Sequence, residues 1–209
     1  VLDLHDPMPE VFVSIFKGGE KHPFVRLLKL QERLSIAFAD LAITPNIAFK
    51  ERFLARSCPP DKMNIVMNSP QEEVFGPISE PLTPARQPGQ PFRVMYHGSL
   101  VGRHGLDTAV EAVSMLRRRL PDVVFDIYGA HTSYVDEVLA AATGDGIRYH
   151  GLKSQAEIAA LIARSDLGII PNRRTVFTEI NMPTRVFEFL ACGRPVICPD
   201  TRGIRDYFD

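Results

Sequence analysis

"MPTRVFEFLACGRPVICPD", residues 182–200, is the stretch whose reading decides the fold. It reads as a short helix, then Gly, then Pro, then a strand. Pro183 suits a first helical turn, Gly193 the position just past a helix end, and Pro195 bars any continuation. "PVIC" (195–198) is then a short, β-branched, apolar run of strand character. Within the helix one carboxylate, Glu188, stands among Val186, Phe187, Phe189 and Leu190. It is either a solvated residue on the outer face or a ligand-binding acid in a cleft.

Working outward, seven more runs have the same strand character: 1–4, 41–44, 64–67, 92–96, 123–128, 147–151 and 167–170. They are short and mostly apolar on both faces, as buried parallel strands are. Helical patterns lie between them. Leu106, Ala109, Val110, Val113 and Leu116 recur at three- and four-residue steps in 105–119, and Val135, Val138, Leu139 and Ala142 do so in 132–142. "SQAE" (154–157) is a capping box ahead of Ile158, Leu161 and Ile162. The alternation predicts an α/β fold with parallel sheets. Residues 76–91, "GPISEPLTPARQPGQP", lack periodicity and read as an interdomain linker. The expected organisation is therefore part of one α/β domain over 1–75 and a second over 92–209. The chain opens on Val1 inside a strand-like run and stops at "GIRDYFD", a helix start, so a fragment is expected.

Bulk composition narrows the function. The chain has 209 residues, 45% apolar and 23% charged, with a net charge of −1. That balance gives no global field for nucleic acid or anionic lipid. Cys58, Cys192 and Cys198 are odd in number and lack metal or redox spacing, which suits a reducing cytoplasm. No run of about 18 apolar residues is present to span a membrane. "RLLKLQERLSIAFAD" (26–40) mixes basic residues with an apolar stripe; it covers a sheet or rests on a membrane surface, and the first is the expectation.

Three constellations carry chemistry. In "YHGSLVGRHGLD" (96–107) a strand runs into Gly98 and Ser99, then a loop with Gly102, Arg103, His104 and Gly105, then a helix. Small residues let backbone approach a ligand, the helix start offers free N–H groups, and Arg103 suits phosphate oxygens. The spacing is neither G-x-G-x-x-G nor a P-loop. The second constellation is the opening stretch after "NRRTVFTEIN" (172–181). Its helix start at Thr184 and Arg185 could hold an anion, and Glu188, one turn on, could accept hydrogen bonds from a ribose diol. The third is "DLHDPMPE" (3–10), where Asp3, His5 and Asp6 follow the first strand. It reads as a capped turn; no second cluster completes a metal site, so no metal is expected.

These residues resemble the GT-B retaining glycosyltransferases, specifically the family 4 type. "PTRVFEFLACGRPVICPDTRGIRD" is similar to that family's donor-site signature, and "HGSLVGRHGLDTAVEAV" to its phosphate loop and following helix. "VLDLHDPMPE", "ADLAITPN" and "NIVMNSP" resemble the second half of its N-terminal domain. The resemblance implies two Rossmann-like domains facing across a cleft, both incomplete here. It implies a metal-independent transferase that moves a sugar from a nucleotide-diphosphate sugar, such as a UDP- or GDP-sugar, to an acceptor hydroxyl with retention. No cofactor is implied beyond that substrate. The acceptor would be a glycan, lipid or small molecule, and the setting cytoplasmic, with peripheral membrane contact through an N-terminal region outside this sequence.

By the same resemblance, Gly98, Ser99, Arg103, His104, Thr184 and Arg185 would bind the donor diphosphate, with Arg173 or Arg174 assisting, and Glu188 the ribose. His5, with Asp6 beside it, would lie by the reacting sugar. The family's E-x7-E motif would place its first acid at position 180, which is Ile180; Glu179 and Asn181 are the neighbours left to touch the donor sugar. Three alternatives stand beside this one: a nucleotide-sugar 2-epimerase of the same fold, a non-catalytic nucleotide-binding module, and a plain α/β scaffold.

Overall fold

The computed structural model describes residues 1–16, 19–76, 89–142 and 146–208. All eight expected strands are present; the central β5 is buried throughout, while the edge strands β3 and β6 leave a polar residue exposed. Along the chain come β1 (Leu2–Asp3), α1 (Met8–Ile15), α2 (Pro23–Phe38), β2 (Ala42–Thr44), α3 (Ile47–Arg56) and β3 (Met63–Ile65). Then follow α4 (Glu72–Phe75), β4 (Phe92–His97), α5 (Leu106–Arg117), β5 (Val123–Tyr128), α6 (Ser133–Ala140), β6 (Ile147–Tyr149), α7 (Gln155–Ala163), β7 (Leu167–Ile169), α8 (Thr184–Ala191), β8 (Val196–Ile197) and α9 (Arg202–Arg205). Most of the expected linker, 77–88, lies outside the described residues.

The chain forms two compact units, and a single cut at the linker does not produce them. One comprises Val1–Asn68, Arg174–Met182 and Asp200–Asp209; the other comprises Ser69–Arg173 and Pro183–Pro199. In the first unit three parallel strands run in the order β1-β2-β3. Its apolar cluster joins Ile36, Ala42, Phe49, Phe53 and Met63 to two residues from far along the chain, Ile180 and Phe177. That packing is why segment 174–182 belongs here. α3 was not anticipated by periodicity, yet its start is well specified: Asn46 Oδ1 accepts from Phe49 N at 2.7 Å. Two buried acids, Glu10 and Glu32, are both met by Arg56, at 3.0 and 2.7 Å. α2 buries Val25, Glu32 and Ile36 on one face and leaves Leu27, Leu30, Leu34 and Phe38 exposed on the other. No helix among the described residues is long and apolar enough to cross a membrane.

In the second unit five parallel strands run in the order β6-β5-β4-β7-β8. The chain moves outward from β4 in one direction and then returns to build in the other. This is the order of a doubly wound sheet, whose ligands sit at the carboxyl ends of the strands where the direction reverses. Here that point lies between β4 and β7. One sheet face, with Val94, Tyr96, Phe125 and Ile127, packs on Leu106, Val110, Val113, Val135 and Val138 of α5 and α6. On the other, Met95 and Tyr128 meet Phe75, Ile158, Ile162 and Phe189 of α4, α7 and α8. The capping box of α7 forms in both directions: Ser154 Oγ accepts from Glu157 N at 3.3 Å, and Glu157 Oε2 accepts from Ser154 N at 2.9 Å.

α8 is seated by close approach. A Cβ on Gly168 of β7 would fall 2.7 Å from three ring carbons of Phe189, so only glycine lets the helix lie directly on that strand. The helix ends as the sequence foretells: Gly193 has φ +64°, and its N–H reaches Leu190 O at 2.9 Å.

The core position of Ile180 generates a prediction. Ile180 is 4% exposed among apolar side chains of the first unit. Ile180→Glu, which writes in the acid that the resemblance would place here, would bury an unpaired carboxylate. It is expected to cost about 3 kcal/mol or more, read as a fall in the urea midpoint. An unchanged midpoint would contradict this packing.

Candidate functional site

Of the donor-site residues inferred from sequence, Gly98, Ser99, Arg103, His104, Thr184, Arg185 and Glu188 lie in the second unit. β4 ends at His97, and Gly98 follows with φ +123°, a conformation that favours glycine. A Cβ there would also lie 3.1 Å from Arg185 Cδ and 3.3 Å from its Nη1. Arg185, in the first turn of α8, therefore lays its guanidinium across the end of β4. Nη1 donates to His97 O at 2.8 Å, and Nη2 donates to Oδ1 of the buried Asn172 at 3.2 Å. Its Cζ stands 5.0 Å from the centroid of the Tyr96 ring, a cation–π contact. So one side chain ties together the ends of β4 and β7, the two strands that flank the reversal point.

Glu188 lies four residues on from Thr184, one turn into α8. Its side chain is 18% exposed, and burial raises its carboxyl above the usual range, with the charge of Arg185 pulling the other way. The exposed-face reading of this acid is thereby set aside. Its neighbour is His97, whose Nε2 lies 3.3 Å from Glu188 Oε2. The imidazole is buried against Phe189, ring centroids 5.2 Å apart, and burial first and Arg185 second push its pKa down to about 3. The ring is thus neutral at neutral pH, and the contact is not an ion pair. Nor does it have hydrogen-bond alignment: Nε2 is buried with no hydrogen-bond partner among the described residues. Such an orphaned polar atom costs about 1–3 kcal/mol.

The loop after Gly98 is a 3-10 turn over Gly102–His104. Ser99 is exposed, and its carbonyl accepts from Tyr96 Oη at 2.8 Å. The same carbonyl lies 2.8 Å from His104 Nδ1. A carbonyl only accepts, so Nδ1 carries the proton. His104 is pushed down to about 4, by burial first; the bond to Ser99 opposes this, and Arg185 and Arg103 add to it. At neutral pH His104 therefore brings a hydrogen-bonding ring and no positive charge to the loop. The ring is neutral, and its Nε2 is a hydrogen-bond acceptor. Arg103 lies half-buried in the turn, and its carbonyl accepts from Arg173 N at 3.0 Å.

The two assisting arginines are engaged by carboxylates. Arg173 pairs with Asp107 at the start of α5. Arg174 forms a two-pronged bond to Glu179 at 2.8 and 2.9 Å. Glu179 also accepts from Arg202 N at 3.2 Å, and these donors, Arg174 first, hold its carboxyl below the usual range despite some burial. Glu179 and Asn181 belong to the first unit, as do His5 and Asp6. His5 is exposed, and its Nε2 lies 3.4 Å from the Asn68 amide nitrogen. Among the described residues no group of three or more His, Cys, Asp or Glu is placed to hold a metal ion.

Sequence reasoning passed over His97, Asn172 and Tyr96. A signal existed for the first two, since each polar residue closes an otherwise apolar strand run. Tyr96 gave none, being indistinguishable from any buried aromatic.

The architecture matches known structures. Anabaena Alr3699/HepE, solved in complex with UDP and glucose, is 19% identical over 100% of this chain and 54% of its own, with a TM-score of 0.73. Sucrose-phosphate synthase from Thermosynechococcus elongatus is 16% identical over 94% of this chain and 49% of its own, with a TM-score of 0.66. The pneumococcal O-GlcNAc transferase GtfA, solved with UDP and GlcNAc, is 19% identical over 86% of this chain and 34% of its own, at 0.61. This chain thus spans about half or less of each of these proteins. No curated protein sequence matches it. The likeness identifies the α/β fold with parallel sheets of the GT-B glycosyltransferases. A family model described as "Glycosyl transferases group 1" matches residues 91–209, and the chain belongs to that family.

The two depressed imidazoles have a measurable consequence. Both fold with pKa values below 6.5, at about 3 and about 4. Between pH 6.5 and 4 the unfolded chain binds protons that these folded rings refuse, so both lower stability as pH falls. The raised carboxyl of Glu188 works in the opposite sense. Nitrogen-15 spectra at pH 5.5 are expected to show His97 and His104 neutral, with His104 protonated at Nδ1. An imidazolium signal from either residue would contradict these surroundings.

Proposed function

We propose that this chain carries the donor-binding part of a family 4 type glycosyltransferase that uses a nucleotide-diphosphate sugar and retains anomeric configuration. The observation that carries this reading is the meeting of Gly98, Arg185 and Glu188 at the reversal point of the five-stranded sheet. Arg185 uses two of its roughly five N–H donors on His97 and Asn172, so others can meet phosphate oxygens. Arg103 and the first turn of α8 at Thr184 add donors of the same sense, as does Ser99 through its hydroxyl. Glu188 would accept the ribose hydroxyls one turn further along. HepE and GtfA were solved with UDP, which favours a uridine or related donor.

In this reading, departure of the diphosphate leaves an oxocarbenium-like sugar, and negative charge builds on the leaving group. Donors placed beforehand lower that barrier, each by about 3 kcal/mol. No metal takes part. His5 and Asp6 would serve the reacting sugar, and the acceptor would be a glycan, lipid or small molecule. The setting would be cytoplasmic. Glu179, occupied by Arg174, is a poorer candidate for the donor sugar than Asn181. A second reading, nucleotide binding without transfer, draws on Ile180, which stands in an apolar core where the family motif has an acid.

Thermal stabilisation of the chain by UDP, GDP and ADP tests the site. At about 100 times its dissociation constant a ligand adds roughly 2.7 kcal/mol of stability. One diphosphate is expected to raise Tm, and Glu188→Ala and Arg185→Ala to cut the shift by most of its size. A folded chain that no nucleotide stabilises refutes the donor site. The anomeric configuration of the product, by proton NMR, decides retention.

A further inference from the structure

We infer that His97 is a positioning residue, which holds the Glu188 carboxylate in the one orientation that accepts a ribose diol; this rests on the donor-site reading above. His97 closes β4 as a fully enclosed imidazole, 6% exposed. Packing alone does not account for it. Its ring lies on Phe189, where an apolar side chain would make the same contact without burying a polar atom. The buried Nε2 has no hydrogen-bond partner, yet it lies 3.3 Å from Glu188 Oε2. At that distance only the alignment is lacking for a hydrogen bond, and Glu188, whose side chain is 18% exposed, is the member of the pair less enclosed by packing. A carboxylate only accepts, so the aligned pair places the ring proton on Nε2.

The alignment answers a need of the carboxylate itself. Glu has three side-chain torsions, and a diol is bound well only if both oxygens stay where the hydroxyls arrive. A fixed second donor removes that freedom before the ligand binds. Arg185 does not fill this place: its bonds to His97 O and Asn172 Oδ1 fix the guanidinium across the strand ends, and its remaining donors are the ones assigned to phosphate oxygens. The neutral state of the ring also matters: a neutral imidazole orients the carboxylate without competing with Arg185 for an anion.

The test compares binding of UDP, GDP and ADP with their 2′,3′-dideoxy forms, by calorimetry, in the chain and in His97→Leu, His97→Gln and Glu188→Gln. The parent chain is expected to prefer the ribose form by about tenfold or more, the factor that 1.4 kcal/mol represents. His97→Leu should lose most of that preference while binding the dideoxy form as before. His97→Gln, whose amide reaches the place of Nε2, should keep it. If His97→Leu does not fold, His97→Asn, whose amide reaches only the place of Nδ1, takes its part. Equal weakening of both ligand forms in a folded His97 variant would make the residue a packing element and overturn the inference. So would an undiminished ribose preference. If the parent binds both forms equally, the ribose role of Glu188 fails and the inference with it, while nucleotide binding stands. If the parent binds no nucleotide, the donor site itself is refuted.

Discussion

The guanidinium of Arg185 lies in the space that Gly98 leaves by having no side chain, and the site depends on that one accommodation. From this place it reaches the last carbonyl of β4 and the amide of Asn172 beyond β7. Parallel strands that border a reversal of winding direction send their following loops to opposite faces of the sheet, which leaves a crevice at their carboxyl ends. A planar cation across the gap satisfies an end carbonyl that the ladder does not reach. It also puts positive charge where a ligand would enter. Any larger residue at 98 would displace it.

That arrangement needs α8 to sit at one depth. The depth is set lower down, where Phe189 lies against the bare backbone of Gly168. Phe189 also meets Met95, Tyr128 and Ile162, so the helix is held by the sheet and by α7 together. The charged residues of α8 then fall where the helix puts them. Val186 and Phe189 are turned to the core, Arg185 stands beside Phe189 at the margin of that buried face, and Glu188 lies beyond Arg185, about 100° round the helix from Phe189. The lone carboxylate of this apolar helix is therefore at the edge of its buried face.

Most of the strand framework was legible, and the reason is physical. A parallel strand covered on both sides is mostly apolar, and "FRVMY" and "VVFDIY" read so; the one charged residue in each, Arg93 and Asp126, pairs with the other at 3.1 Å. The helix over 184–191 was legible through Pro183, Gly193 and Pro195. α3 could have been found from Asn46, whose side chain caps it. What the sequence hid was long-range. Nothing local marks 174–182 as part of the first unit, since that follows from Phe177 and Ile180 entering an apolar cluster built mainly by residues 36–63. Nothing local tells that Arg173 and Arg174 are bound to Asp107 and Glu179. The charge state of His104 was likewise invisible, because it depends on burial and on the carbonyl of Ser99.

The electrostatics of the strand edge are consequently sparer than a count of basic residues suggests. Of the candidates near it, His97 and His104 are neutral and Arg173 is paired, which leaves Arg103 and Arg185, among the described residues named for the site, as the cations proposed to meet a ligand. Both adjoin loops with glycine, where backbone N–H groups can share the work. Along α8 the order is then fixed: helix start and guanidinium first, carboxylate one turn on. At about 1.5 Å of rise per residue, Thr184 and Glu188 are roughly 6 Å apart along the axis. In the proposed reading, an anion-binding end and a hydroxyl-binding end at that spacing would suit a ligand with a diphosphate at one side and a diol one sugar ring away. A free phosphate would use only the first, and a neutral sugar only the second. The helix acts as the ruler, and it can do so because Gly168 and Gly98 leave no slack in where it lies.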